Sequence, residues 1–130
     1  MTSLDELLGR SQVITLHARL TPETRGLIGA RELGLLPSGA VVVNVARGPL
    51  LDEGALCDAL ESGRVSAAAL DTYEREPLPA ESRLLGLRDR VVLTPHLGGA
   101  SRAVAEKAAR IAAEEVGRWV RGEPLAHCLT

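Results

Sequence analysis

The chain has 130 residues, 45% apolar and 25% charged, the make-up of one soluble globular domain with a modest core. A net charge of −2 and 2% aromatic residues supply neither the electrostatic footprint of a nucleic-acid or anionic-membrane binder nor a base-stacking surface. Cys57 and Cys128 form no metal or redox motif, MTSLDELLGR is no signal peptide, and no apolar run spans a bilayer, so a reducing cytoplasmic setting without metal, nucleic-acid or membrane partners is expected.

Ser3-Leu4-Asp5-Glu6 reads as a capping box opening a short helix through Leu8. Gln12 to His17 is rich in β-branched residues and reads as a strand. Thr21-Pro22 places an N-cap before a proline and predicts a short helical turn. A short helix over Ala30 to Leu36 is closed by Pro37-Ser38-Gly39, and Ala40 to Val45 forms the second strand. Asp52 caps a helix to about Ser62, with Ala55, Leu56, Ala59 and Leu60 on one face and Gly63 at its end. Ser66 to Leu70 and Val91 to Thr94 are the third and fourth strands. Ser101 caps the longest helix, which ends near Arg121 before Gly122. Short strands without clean alternation, separated by helices, predict an α/β fold with a parallel sheet covered on both faces. The one long connection, Tyr73 to Arg90, has the length of a functional loop.

In open parallel sheets, ligands bind beyond the carboxyl ends of the strands. Those ends carry His17, then Arg47-Gly48, then Asp71 through Glu76-Pro77, then Pro95-His96-Leu97-Gly98-Gly99. Arginine grips a carboxylate bidentately, histidine exchanges a proton near neutral pH, and a glutamate beside it favours its protonated form. Such a set suits binding a 2-oxo acid and protonating its carbonyl oxygen. Taken singly, each residue has a plainer reading. Arg47 is equally a turn residue, His96 fits a buried structural histidine slightly better, and Glu74 and Glu76 around Arg75 read as a solvated charge run. His17 reads as structural and His127 as incidental, and Gly98-Gly99 is either a tight turn or room for a cofactor to approach.

Three blocks, VITLHARLTPETRGLIGARELGLLPSGAVVVNVARGPLLDEGALCDAL, AAALDTYEREPLP and VVLTPHLGGAS, with RIAAEEVGRWVRGEPL near the end, resemble the D-isomer-specific 2-hydroxyacid dehydrogenases over nearly the whole chain. The resemblance implies an oxidoreductase interconverting a small 2-hydroxy acid and its 2-oxo acid with NAD or NADP, NAD being favoured, and a homodimer for the full-length enzyme. It implies that Arg47 binds the substrate carboxylate, His96 is the general acid/base and Glu76, not Glu74, pairs with His96. It implies cofactor contacts at Ala18, Arg19, Thr24, Val45, Ala46, Arg47, Asp71, His96, Gly98 and Gly99. Arg19 departs from the family's usual proline, and Tyr73 replaces its usual phenylalanine.

The chain contains no G-x-G-x-x-G after a first strand, and no acidic residue follows on a next strand to hold the adenosine ribose. The expected architecture is therefore about half of a Rossmann-like, doubly wound dinucleotide-binding domain over residues 1–100, with a long helix and tail over 101–130 that would return to a substrate domain. A truncated dehydrogenase is the leading expectation, and a non-catalytic remnant or oligomerisation module is the alternative. Pyrophosphate binding needs backbone N–H groups at a glycine-rich helix start, so the chain alone is expected to bind NADH weakly and to turn over neither glyoxylate nor hydroxypyruvate.

Overall fold

In the computed structural model, residues 2–128 are described. The first helix, α1 (Leu4–Arg10), starts where Ser3 Oγ accepts the Glu6 N–H at 3.2 Å. Only that half of the expected capping box forms, because the Glu6 carboxylate lies toward Arg10 at 3.6 Å. Strand β1 (Val13–Leu16) follows. The expected helical turn after Thr21 closes instead as successive hydrogen-bonded turns. Thr24 Oγ1 accepts from the Thr21 N–H and donates to the Arg19 carbonyl, both at 2.8 Å, which closes the loop on itself. Then come α2 (Ala30–Leu35), β2 (Ala40–Asn44), α3 (Glu53–Glu61), β3 (Val65–Leu70), β4 (Val91–Leu93) and α4 (Arg102–Val120).

The four strands are parallel in the order β1-β2-β3-β4. Ile14, Val42, Ala68 and Val91 fall in one row across the sheet, and Leu16, Asn44, Leu70 and Leu93 in the next but one. These rows face the helices, and Leu8, Leu33, Leu56 and Leu60 complete the buried core. The intervening rows, Val13-Val41-Ala67 and Thr15-Val43-Ala69-Val92, are half-buried or exposed. Within this part of the chain the helices therefore cover one face, where cover on both was expected. The cause is topological. Strands laid down side by side in chain order, joined by right-handed crossovers, put every crossover on the same face.

The long connection is not loose. Ser82 caps a 3₁₀ turn over Arg83–Gly86, and the buried Leu84 packs into the core. Arg83 reaches Asp58 and Glu61 of α3 at 2.7 and 2.9 Å, and Arg90 Nη1 donates to the Leu60 carbonyl.

The chain divides into two compact units, Met1–His96 and Leu97–Thr130. The second is α4 and its flanks. Ser101 Oγ accepts the Val104 N–H at 3.2 Å, and Gly122 ends the helix at φ 68°. The tail folds back, so that Ala126 and His127 donate their N–H groups to the Glu115 carboxylate at 3.0 and 3.2 Å. A single helix has no second layer of its own against which to bury Val104, Ile111, Val116 and Trp119.

Candidate functional site

Strand β2 is apolar until Asn44, and the sharp turn after it is held from inside. The buried Asn44 side chain donates from Nδ2 to the Arg47 carbonyl at 3.0 Å and accepts the Ala46 N–H at 3.1 Å. Val45, Ala46 and Arg47 are thereby fixed at the strand's carboxyl end, with the Arg47 side chain exposed and Nη1 donating back to the Ala46 carbonyl at 2.6 Å. Gly48 must be glycine. A Cβ there would stand 1.8 Å from the carbonyl carbon of Tyr73 and 1.9 Å from its oxygen, so the turn after β2 rests directly on the backbone of the loop after β3.

That second loop carries Glu76. Its Oε1 accepts the Tyr73 N–H at 3.0 Å, and its Oε2 lies 2.8 Å from His96 Nδ1. The Glu76 carboxyl is held below its usual 4.5, first by this bond to His96 and next by the Tyr73 N–H, with Arg47 adding a smaller Coulombic pull. His96 is not the buried structural histidine that its spacing favoured. Its side chain is 43% exposed, and its backbone sits at φ 55°, a left-handed conformation uncommon outside glycine and frequent at functional sites. Orientation of the ring follows from the Nδ1 contact with Glu76.

Asp71 is buried, and the Thr94 hydroxyl donates to it at 2.5 Å. Tyr73 is buried as well, and its hydroxyl meets the Thr94 carbonyl at 2.8 Å and the Leu70 carbonyl at 3.2 Å, tying β4 to the loop after β3. A phenylalanine could make neither contact, so this departure from the family pattern is a structural one. Beside the pair, Tyr73, Pro77, Leu78, Leu85, Leu93 and Pro95 line a largely apolar cavity of about 560 Å³.

Ala18, Arg19, Val45, Ala46 and Arg47 line one cleft of about 390 Å³, together with His17 and Leu20, at the adjoining ends of β1 and β2. Thr24 is not in that cleft's lining, and its hydroxyl serves the loop that shapes it. His17 bonds its neighbour Thr15 at 2.9 Å. Gly98 and Gly99 belong to the second unit, where a Cβ on Gly99 would meet nothing within 4 Å. Among the described residues no cluster of three or more His, Cys, Asp or Glu could hold a metal, and no helix is long and apolar enough to cross a membrane.

Three contributors escape a reading of the sequence. Asn44 carried a signal, being the one polar residue in an apolar strand. Thr94 and the pair Glu53–Glu74 carried none, because each acts through a partner more than twenty residues away.

A parallel α/β sheet with its polar groups gathered at the strands' carboxyl ends defines a Rossmann-like, dinucleotide-binding class of domain. The profile of the family described as D-isomer specific 2-hydroxyacid dehydrogenase, NAD binding domain, matches residues 1–98, and the chain belongs to that family. It is 45% identical over 120 residues to D-3-phosphoglycerate dehydrogenase of Methanocaldococcus jannaschii, covering 92% of this chain and 22% of that protein. It is 42% identical over 121 residues to glyoxylate reductase of Aeropyrum pernix, covering 93% and 36%. A D-isomer specific 2-hydroxyacid dehydrogenase from Xanthobacter autotrophicus Py2, solved in complex with NADPH and MES, superposes with a TM-score of 0.84 at 45% identity, covering 98% and 51%. The chain thus spans between about a fifth and about a half of the length of these relatives.

Proposed function

We propose that this chain carries the acid/base and carboxylate-binding side of a D-2-hydroxyacid dehydrogenase site. The observation that carries the reading is the His96–Glu76 contact of 2.8 Å at the end of β4. In the reduction direction, His96 gives a proton to the carbonyl oxygen of a small 2-oxo acid, and in the oxidation direction it removes the hydroxyl proton. Glu76 holds the ring's orientation through Nδ1. Arg47 receives the substrate carboxylate, and its electrostatic field polarises the neighbouring carbonyl.

A bound nicotinamide dinucleotide, NAD in preference to NADP, supplies hydride chemistry to this site. The small side chains of Ala18 and Ala46 and the exposed Arg19, gathered in one cleft, fit its approach along the ends of β1 and β2. Asp71, beside Thr94, stands on the nicotinamide side, and Val45 offers a backbone contact. Residues 1–100 act as the dinucleotide-binding part, and 101–130 return toward a substrate-binding part. The complete enzyme works as a cytoplasmic homodimer.

The alternative reading is a non-catalytic remnant or oligomerisation module. The two readings separate in a chimera in which residues 1–98 replace the matching segment of the A. pernix glyoxylate reductase. The dehydrogenase reading expects the chimera to reduce glyoxylate, and Arg47→Gln to raise its KM at least tenfold, since a charge-assisted bidentate contact is lost. A KM unmoved by that substitution favours the remnant.

A further inference from the structure

Glu53 and Glu74 form a reciprocal clasp that no reading of the catalytic residues requires. The Glu53 N–H donates to Glu74 Oε1 at 2.9 Å, and the Glu74 N–H donates to Glu53 Oε1 at 2.5 Å. Each side chain therefore holds the other's backbone. Glu53 opens α3, where the first N–H groups lack intrahelical partners, so Glu74 caps the helix from across the fold while Asp52 caps it locally at Ala55. Glu74 lies in the loop after β3, next to Tyr73, whose N–H the Glu76 carboxylate accepts. Gly48 makes the approach possible, because its Cβ-free backbone lets the loop lie against the turn that carries Arg47.

The clasp places two like charges together, one on the half-buried Glu53 and one on the exposed Glu74. The Glu53 carboxyl is held above its usual 4.5, first by burial and then, against the lowering bond from the Glu74 N–H, by the facing charge of Glu74. One carboxylate capping α3 would avoid that repulsion. With two, the start of α3 and the loop that carries Glu76 are fixed to each other from both sides.

We infer that Glu53 and Glu74 are positioning residues, which hold the Glu76 loop where its carboxylate meets His96. The inference rests on the dehydrogenase reading only for the importance of that pair. The charged and polar groups facing Glu76 are His96, Arg47 and the Tyr73 N–H, and the clasp touches none of them directly.

The test is a carbon-13 titration of the Glu76 carboxyl in the 130-residue chain. Removing a neighbouring negative charge by itself moves the midpoint down. Freeing the loop from His96 moves it up. Glu74→Ala and Glu53→Ala are expected to raise the Glu76 midpoint toward that of a free glutamate. Glu74→Gln and Glu53→Gln keep an oxygen to accept the N–H and are expected not to raise it. Alanine variants whose midpoint stays or falls overturn the inference, as do glutamine variants that raise it equally. Should an alanine chain lack a dispersed spectrum, Glu74→Met, which keeps the side chain's length but offers no oxygen to the Glu53 N–H, takes its place. A raised midpoint supports the clasp, and an unchanged or lower one contradicts it. Failure of the catalytic reading shows elsewhere, as a chimera whose turnover ignores His96, and leaves the titration result standing.

Discussion

The His96–Glu76 contact makes the protein's acid response a residue-level property. Glu76 has its folded-state pKa depressed, chiefly by His96, so its contribution to stability is present above about pH 4.5 and is lost as pH falls through the lower folded value. Glu53, held above its usual value by burial, works oppositely: its contribution is present at low pH and lost as pH rises through the raised value. In His96→Ala, the loss of stability on acidification below about pH 4.5 is expected to be shallower than in the wild type, as read from urea midpoints between about pH 6 and about pH 3. Superimposable profiles would mean that the contact is not formed in solution. At this scale the residue types were legible, and their settings were not. Arg47, Glu76 and His96 stood out as polar groups at strand ends, yet the exposure of His96 and the brace supplied by Asn44 depend on packing that no local spacing encodes.

Between elements, the decisive contact is that of the two turns following β2 and β3. Gly48 lies under the Tyr73–Glu74 peptide, so the substitution Gly48→Ala must move backbone rather than a flexible side chain. It is expected to lower stability by about 2–3 kcal/mol, measured as a fall in urea midpoint with unchanged slope. A wild-type midpoint would show that the two loops do not touch as described. The caps at Ser3, Asp52 and Ser101 were readable from the sequence, because each needs only a side-chain oxygen and an N–H two or three residues on. The reciprocal partner of Ser3 was not, because Arg10 competes for Glu6 one turn away. Thr21-Pro22 misled for a related reason: the Thr24 hydroxyl offers its backbone a local bond that a helix would not.

On the scale of the whole molecule, a parallel sheet was legible from short apolar strands alternating with helices, but its coverage was not. Sequential strand order fixes all crossovers on one face, and that order is a long-range property. The open row Val13-Val41-Ala67 is the consequence, and its residues look the same in sequence as those that are buried. The family likeness runs over residues 1–98, and the chemistry is proposed at the strand ends within them. The most direct test is turnover in the chimera carrying residues 1–98 in the A. pernix glyoxylate reductase frame, compared with the same chimera bearing His96→Asn. Loss of a positioned acid/base costs roughly 10²–10⁴-fold, and a fall in kcat of that order with glyoxylate binding retained is the predicted result. A His96→Asn chimera that turns over glyoxylate at the parent rate would contradict the assignment of His96 as the proton donor.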